Sequence, residues 1–593
     1  MTAMLTRKGI GVSPGVAIAP AVVLDAADQP IQRRHVPHSG VGNELRRLDA
    51  AIEASKNEIE DLRQQTATAL GDDVGRIFAF HIGMLGDPDL IGSVTDQIRG
   101  DRVSAEYATY VALRRRAQSF DAHESPLVRK MVSDIWDLER RLLRHLVGEA
   151  RTEVNHLSQP SIVIARDLTP SQTAGLDRTK VKALVIDLGG RTSHTAILAH
   201  ALGIPAVVGL GSLSREVESG QQIVVDGTRG TVIIEPDGAK LLEYRQEARR
   251  FRDLVGRLDE LRDKPAETKN GEKVNLLANI EFSSEIEEAV GNGAEGVGLY
   301  RTEFLFLAAD HEPTEEEQYE AYVEVLNRLG KDLPLTIRTL DLGADKVAMD
   351  GPSAFANYER NPFLGCRSIR LCLQNLPLFK TQLRAILRAS AHGKMRIMFP
   401  LISHIMELRQ ARMVLQDVME DLEDQGIPFD RDVPIGMMVE VPSAALQAAT
   451  FAKEVDFFSI GTNDLVQYTV AVDRSNERIA SLYSAAHPAV LKLIKEVIRA
   501  AQREQIGVSL CGEMASEPEF TMLLVGLGLR WFSMTPPAIP EVKQIIRSVS
   551  TDQCRRLARR VSGLDTDREV LNLLREELRK VMPSAVDGRS VVA

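Results

Sequence analysis

Eight short apolar runs recur in the second half of the chain, each followed by a stretch with helical periodicity. In chain order they are VNLLANI, GVGLY, LTIRTLDLG, RIMFPLI, IGMMVEV, FFSIGT, GVSLCGE and WFSM. Their β-branched and aromatic residues favour strands, and the alternation with helices favours a parallel sheet. Eight strand–helix units over residues 266–580 predict a (β/α)8 barrel, followed by a loose tail at residues 581–593.

The first half of the chain has a different pattern. Short strand-like runs occur in residues 1–25, where we expect one or two strands, and in residues 149–235. Residues 26–148 instead show apolar residues at helical spacing, which predicts four or five amphipathic helices. Because strand signals lie on both sides of this block, we predict an α/β domain with an inserted helical bundle. The charged segment 236–265 predicts a helix that links this half to the barrel.

Composition excludes several classes of protein. The formal net charge of −11 argues against a nucleic-acid binder, because phosphate backbones are held by Lys and Arg. The cysteine spacings form neither a CxxC pair nor a zinc pattern, and four cysteines in so long a chain are no disulfide framework. The N-terminus lacks the apolar core of a signal peptide, and no apolar run is long enough to span a bilayer. We therefore expect a soluble protein of the reducing cytoplasm.

Polar residues follow five of the eight predicted barrel strands. Active sites of such barrels form where the strands end, so these side chains are expected to converge. Two arginine forks suit a phosphate, and two carboxylates suit Mg²⁺. These residue types alone predict a barrel enzyme that acts on a phosphorylated acid. The second strand ends in Arg301 and the third carries Arg338, while the fifth ends in Glu440, the sixth in Asn463 and Asp464, and the seventh in Cys511.

Cys511 needs a separate interpretation. Mg²⁺ prefers oxygen ligands, so a thiol beside the carboxylates is interpreted as an acid or a nucleophile and not as a ligand. The alternative is a buried cysteine that behaves as a small apolar side chain.

The α/β domain contains one histidine in an unusual position. In VIDLGGRTSHTAILAH, Gly189 and Gly190 are expected to form a tight turn, and a helix is expected to begin near His194. The positive end of the helix dipole favours a neutral imidazole and stabilises an anion attached to it, as a phosphohistidine requires. The alternative is a packed or solvated histidine, which is what we expect of His200.

Longer motifs carry a family resemblance. GGRTSHTAILAHALGIPAVVG resembles the phosphohistidine motif of the phosphoenolpyruvate-utilising enzymes. GLYRTEFLF, RTLDLGADK, NPFLGCRSIR, MMVEVPSA, FFSIGTNDLVQY and CGEMA are similar to the barrel motifs of the family members that serve the bacterial phosphotransferase system. The resemblance covers nearly the whole chain, in the family's domain order. Ala344 replaces a more usual glycine and Tyr300 a more usual phenylalanine, but neither change removes a functional group.

The resemblance implies a reaction and its partners. His194 would take a phosphoryl group from phosphoenolpyruvate on Nε2, with Thr169 as its hydrogen-bonding neighbour, and pass it to the carrier protein HPr. The α/β domain would swivel between the two sites. The inserted helices would dock HPr, and the barrel would bind phosphoenolpyruvate and form a homodimer.

The resemblance also implies roles in the barrel. Arg301 and Arg338 would hold the phosphate of the substrate. Glu440 and Asp464 would hold Mg²⁺, with Asp464 also near the substrate, and Cys511 would protonate the enolate to give pyruvate. The further substrate-binding and supporting residues that the resemblance implies are Asn463, Arg474, Lys346 and Arg367.

Three other kinds of protein share parts of this pattern. A pyruvate–phosphate dikinase or phosphoenolpyruvate synthase would need a nucleotide-binding domain upstream, and no glycine-rich phosphate loop is found there. A nitrogen-regulatory paralogue would carry an additional N-terminal sensor domain. A non-catalytic regulator would have lost one of the residues named above, and all of them are present.

Overall fold

A computed structural model divides the chain into two compact units, Met1–Arg252 and Asp253–Val592. The described residues are 4–24, 31, 33–70, 83–121, 132–147, 159–166, 168, 179–189, 195, 199, 203–308, 311–343, 361–474, 476 and 478–582.

The first unit contains one sheet of eight strands, in the order β1-β8-β7-β3-β4-β5-β6-β2. Strands β3, β4, β5 and β6 pair in parallel, and the other ladders are antiparallel. The strands are β1 Leu5–Lys8, β2 Ile10–Ser13, β3 Val16–Leu24, β4 Ser161–Ala165, β5 Val181–Ile186, β6 Ala206–Val208, β7 Gln222–Asp226 and β8 Thr231–Ile234.

The described helices of this unit that precede β4 lie between β3 and β4 in the chain, so the helical block is inserted into the α/β domain as predicted. Their apolar faces pack on one another through Leu48, Ile59, Leu113 and Leu138, each at most 2% exposed. The described helices of this block are α1 Val41–Leu70, α2 Pro88–Gly100, α3 Ala105–Asp121 and α4 Val132–Val147.

The prediction of one or two strands in residues 1–25 was wrong, because three strands are present. The unpredicted strand, β1, has the sequence LTRK and pairs with β8 at the edge of the sheet. Its alternating half-buried and exposed residues match an edge position, but a four-residue charged run carries little strand signal by itself.

Eight parallel strands close into a barrel in the second unit, which confirms the predicted (β/α)8 architecture. Each strand coincides with one of the eight apolar runs, since a strand enclosed by helices is buried on both faces. The strands are β9 Asn275–Ile280, β10 Val297–Arg301, β11 Leu335–Arg338, β12 Met395–Phe399, β13 Ile435–Val439, β14 Phe457–Ile460, β15 Gly507–Leu510 and β16 Trp531–Met534.

Helices lie between the barrel strands, and the fully buried rings of Tyr322, Phe379, Phe399 and Phe458 are part of the second unit's core. The segment predicted to link the halves contains α5 Gly238–Asp259. The later helices are α6 Ile286–Gly291, α7 Glu303–Ala308, α8 Glu315–Leu329, α9 Ile369–Gln374, α10 Leu376–Ser390, α11 Ile405–Asp424, α12 Pro442–Leu446, α13 Ala448–Phe451, α14 Thr462–Val470, α15 Pro488–Glu504, α16 Pro518–Leu527, α17 Ile539–Ser548, α18 Thr551–Val561 and α19 Asp567–Val581.

Candidate active site

The polar residues predicted at strand ends lie at the carboxyl-terminal face of the barrel. Arg301 and Arg338 are the last residues of β10 and β11. Glu440 and Cys511 directly follow β13 and β15, and Asp464 lies in the first turn of α14, after β14. The structure therefore brings five strand-end residues, drawn from five of the eight strands or the segments that follow them, to the face where barrel enzymes hold their substrates.

A row of alternating charges runs across this face. Arg338 Nη2 contacts the Glu303 carboxylate, and Arg338 Nη1 lies 2.9 Å from Asp341 Oδ2. Arg367 Nη2 donates to Asp341 Oδ1 at 2.9 Å and lies 3.5 Å from Asp464 Oδ2. These five side chains are at most 13% exposed, so both guanidiniums are fixed between buried carboxylates before any substrate arrives.

The protonation of Asp341 follows from this arrangement. Burial by itself would raise the pKa of Asp341, but the Arg338 and Arg367 guanidiniums hold it well below its usual range. The Ser368 hydroxyl also donates to the same carboxylate. Burial alone would lower the pKa of Arg338, whereas Glu303 and Asp341 raise it above its usual value. Asp341 is an anion and Arg338 a cation at every physiological pH.

Arg301 is held less tightly than Arg338. Its Nη1 contacts the Glu281 carboxylate, and its side chain is 34% exposed, against 9% for Arg338. The charge of Arg301 acts on the thiol of Cys511, so the two groups share one electrostatic environment. The site thus combines one buried guanidinium with a second that is open to an incoming anion.

Glu440 and Asp464 are buried carboxylates whose charges repel each other. Glu440 Oε1 accepts from the Leu401 N–H at 2.6 Å. Burial, and then the charges of Asp464 and Asp341, raise the pKa of Glu440 to about 8. Asp464 Oδ1 is buried and has no hydrogen-bond partner among the described residues. A cation between two such carboxylates would relieve this repulsion.

The residues present fit a divalent metal of the oxygen-preferring kind. Within the described part of the chain, no group of three or more His, Cys, Asp and Glu side chains could hold a metal ion. Mg²⁺ is commonly bound by one or two carboxylates, with water and substrate phosphate completing its coordination. Glu440 and Asp464 supply that smaller donor set, and the unpartnered Asp464 oxygen is a free ligand position.

Cys511 lies at the bottom of the site in apolar surroundings. It is 3% exposed and packs with Leu299, Met398 and Met438 inside the barrel. Burial raises the pKa of the Cys511 thiol above its usual value. The thiol is therefore protonated at neutral pH, which suits a proton donor and not a thiolate nucleophile. Of the two chemical roles left open by the sequence, the surroundings favour the acid.

Asn463 and Arg474 lie on the more open side of the site. Asn463 Nδ2 donates to Glu513 Oε1 at 3.0 Å, and the Glu513 N–H donates back to Asn463 Oδ1 at 3.0 Å. Arg474 Nη1 lies 4.0 Å from the same Glu513 oxygen, and the Arg474 side chain is 41% exposed. Glu513 therefore links the two residues, which present an amide and a guanidinium to solvent.

Three predicted site residues, His194, Thr169 and Lys346, lie outside the described residues. The strand before the expected turn is described, and Gly189 has φ 90°, a conformation that favours glycine at a turn. Directly after His194, Thr195 is 2% exposed and its hydroxyl donates to the Leu168 carbonyl at 3.4 Å.

Some residues of this site were missed from the sequence. Glu303 was given no role, although it follows Arg301 by two residues and contacts Arg338. No role was predicted for Asp341, three residues after Arg338, or for Glu281, which follows β9. The available signal was the same in each case, since each carboxylate lies within three residues of the end of a predicted barrel strand.

Three family models match successive parts of the chain. They describe the N-terminal part of a PEP-utilising enzyme at residues 8–130, its mobile domain at 157–230 and its PEP-binding domain at 256–551. Across the part of the chain that the structure describes, no helix is long and apolar enough to cross a membrane.

Curated proteins are similar over almost the entire length. The phosphoenolpyruvate-protein phosphotransferase of Geobacillus stearothermophilus is 43% identical over 571 residues, 96% of this chain and 98% of that protein. The Bacillus subtilis (strain 168) protein of the same name is 40% identical over 577 residues, 97% of this chain and 100% of that protein. Among solved structures, an NMR structure of Enzyme I (nEIt) is 32% identical and covers 42% of this chain and 99% of its own, with a TM-score of 0.36.

Proposed function

This chain belongs to the phosphoenolpyruvate-utilising enzyme family, and we propose that it phosphorylates itself on His194 from phosphoenolpyruvate. It then passes the phosphoryl group to the phosphocarrier protein HPr, which is the first step of sugar uptake by the bacterial phosphotransferase system. The P–O bond to the enol oxygen breaks as a bond to His194 Nε2 forms. The enolate that is left takes a proton and departs as pyruvate.

The observation that carries this proposal is the arginine pair at the ends of β10 and β11. Arg338 is buried between Glu303 and Asp341, and Arg301 lies at the end of the adjacent strand with a partly exposed side chain. Two such guanidiniums bind a phosphate in a fixed orientation and neutralise the charge that moves during phosphoryl transfer. Asn463 and Arg474 bind the carboxylate end of the substrate, and Arg367 and Lys346 support the site.

Enzymes of this family use a divalent metal, and we assign that role to Mg²⁺ held by Glu440 and Asp464. When bound, Mg²⁺ neutralises negative charge on the substrate phosphate and carboxylate. Glu440 must release its proton for this, and Arg367, beside Asp464, limits how far that carboxylate can turn.

Cys511 is the acid that protonates the enolate after the phosphoryl group has moved to His194. Its thiol is protonated at neutral pH and lies beside the charges of Glu440 and Arg338. Transfer of the thiol proton to the methylene carbon of the enolate gives pyruvate and a thiolate, which Arg301 and Arg338 stabilise until it is reprotonated.

Each domain has its own role in this reaction. Residues 1–25 and 149–235 form the phosphohistidine domain, in which Thr169 hydrogen-bonds His194, and residues 26–148 dock HPr. Residues 236–265 link this part to the barrel, residues 266–580. The barrel also forms a homodimer, for which exposed Leu364, Leu446 and Leu482 supply apolar surface. The protein acts in the cytoplasm, where phosphoenolpyruvate is available.

The test follows both products. The purified protein is incubated with phosphoenolpyruvate and Mg²⁺, and pyruvate release and protein-bound phosphate are measured together. We expect one acid-labile phosphate per chain to form together with one pyruvate. This phosphate should be lost from the protein when HPr is added. Pyruvate release without protein-bound phosphate would contradict the proposal.

A further inference from the structure

A buried amide lies behind the two strands that end in Arg301 and Arg338. Gln382, on α10, is 1% exposed. Its Oε1 accepts from the Leu340 N–H at 2.8 Å, and its Nε2 donates to Thr302 Oγ1 at 3.1 Å. One side chain thus joins the residue after Arg301 to the residue two positions after Arg338.

Thr302 extends this connection to the backbone of Arg338. The Thr302 hydroxyl, which is fully buried, donates to the Arg338 carbonyl at 2.8 Å. A hydroxyl has one hydrogen, so Thr302 accepts from Gln382 and donates to Arg338. The hydrogen bonds therefore run in one direction, from Gln382 through Thr302 to Arg338.

The remaining hydrogen bonds fix the orientation of the amide. The second hydrogen of Gln382 Nε2 is donated to the Tyr322 hydroxyl at 3.4 Å. Tyr322 donates to Gln318 Oε1 at 3.1 Å, and Gln318 Nε2 donates to the Pro313 carbonyl at 2.9 Å. Turning the Gln382 amide over would set a donor against the Leu340 N–H, so only one orientation satisfies every group.

The pairing between β10 and β11 ends just before the residues that Gln382 contacts. Strands β10 and β11 shift register between Val297 and Tyr300, and their last pair is Arg301 with Arg338. The backbone beyond that pair receives no ladder bonds between these two strands. Gln382 and Thr302 supply bonds at this point, to the Leu340 N–H beyond the last pair and to the Arg338 carbonyl within it.

We propose that Gln382 is a positioning residue for phosphate recognition, because it holds the ends of β10 and β11 at the spacing that Arg301 and Arg338 need. The inference rests on the proposed function, in which these arginines take the substrate phosphate. Gln382 does not touch the substrate and acts only through Thr302 and Leu340.

The test compares two variants of the same network in the full-length protein. Gln382→Met keeps the shape of the side chain but removes both bonds to the strand ends. We expect the KM for phosphoenolpyruvate to rise about tenfold or more, because small misplacements of binding groups are costly. Tyr322→Phe removes a hydroxyl from the network but leaves both strand-end bonds, so its KM is expected to stay within about twofold of the parent. Both variants lose stability, so thermal denaturation alone does not distinguish them.

A second pair of variants covers the case in which Gln382→Met fails to fold. Thr302→Val removes the hydroxyl and should raise the KM for phosphoenolpyruvate as Gln382→Met does. Thr302→Ser keeps the hydroxyl, so its KM should stay close to that of the parent. Phosphate exchange between His194 and phosphorylated HPr should be unchanged in all four variants, because that step does not use the barrel arginines.

The outcomes separate this inference from the proposed function. A parent protein that releases no pyruvate from phosphoenolpyruvate would contradict the proposed function itself. An active parent whose KM is unchanged by Gln382→Met and by Thr302→Val would overturn the positioning role. An equal rise in KM for Tyr322→Phe would also overturn it, since general loosening of the core would then explain the effect.

Discussion

Arg338 Nη1 lies 2.9 Å from Asp341 Oδ2, and the two side chains are only 9% and 7% exposed. Asp341 also accepts from Arg367 through its other oxygen, so one carboxylate fixes the guanidiniums of two arginines. A buried charge that loses its partner is costly, because neither water nor another group replaces the lost interaction. The integrity of the site therefore depends on Asp341, even though no substrate atom needs to touch it.

Asp341→Asn should lower the free energy of unfolding by about 3 kcal/mol, since it leaves Arg338 and Arg367 with incomplete compensation. Urea titration of the full-length protein measures this loss. The matched control is Glu287→Gln, which breaks the exposed pair with Arg328 and should cost less than about 1 kcal/mol. A loss for Asp341→Asn no larger than that of the control would contradict the importance of the buried pair.

Mg²⁺ affinity should rise with pH up to about 8, the pKa of Glu440, because the metal displaces the proton of that carboxyl. If one proton is released on binding, the Mg²⁺ affinity rises by at most roughly tenfold per pH unit. In the absence of metal, the stability of the folded chain changes with pH in the opposite direction to the Mg²⁺ affinity. The raised pKa means that the folded chain binds the extra proton, so stability falls as pH rises from the ordinary value of 4.5 to about 8.

Calorimetric titration with Mg²⁺ between roughly pH 6 and pH 9, a range that spans the pKa of Glu440, measures this dependence. Glu440→Gln should abolish the slope together with most of the affinity. Glu440→Ala and Asp464→Ala should each lose most Mg²⁺-dependent turnover, because neutralisation of the phosphate is worth several kcal/mol, roughly. A parent protein whose Mg²⁺ affinity does not change with pH would refute the assignment of Glu440.

Cys511→Ser should slow pyruvate formation by roughly a hundredfold or more while leaving phosphoenolpyruvate binding almost unchanged, as expected when an acid is lost but no binding contact is. Rapid-quench measurement of pyruvate and equilibrium binding of phosphoenolpyruvate give the two quantities. Cys554→Ser is the control, because Cys554 is also fully buried but lies on α18. Equal losses of binding and turnover in Cys511→Ser would indicate a packing role.

A fragment that ends at Asp259, the last residue of α5, should fold by itself. The helical core around Leu48 and Leu113 and the sheet cores around Leu184 and Ile164 consist of residues from the first unit alone. The fragment should exchange phosphate with phosphorylated HPr through His194 but accept none from phosphoenolpyruvate. A folded fragment that is inactive toward HPr would show that carrier docking needs the barrel.

The barrel could be predicted because each of its strands is indicated by a short run of neighbouring residues. Eight buried strands give eight apolar runs, and a polar residue at the end of such a run is visible in the sequence. Arg338 and Glu440 were found in this way. The (β/α)8 topology then places separate strand ends on one face, so the candidate site follows from the fold class.

The partners of these residues could not be predicted, because pairing across strands leaves no local pattern. Glu303 and Asp341 lie near predicted strand ends, but the sequence does not show that both contact Arg338. Gln382 lies on the buried face of α10 with Phe379 and Leu383, where a polar residue is unexpected. That position was the available signal, but only the structure shows which strand ends it joins.

The most direct test is phosphorylation of His194. The parent protein, His194→Ala and His200→Ala are each incubated with Mg²⁺ and phosphoenolpyruvate that carries a radiolabelled phosphate, and acid-labile label on the protein is counted. We expect full labelling of the parent and of His200→Ala, and none of His194→Ala. Label on His194→Ala at the parental level would contradict it.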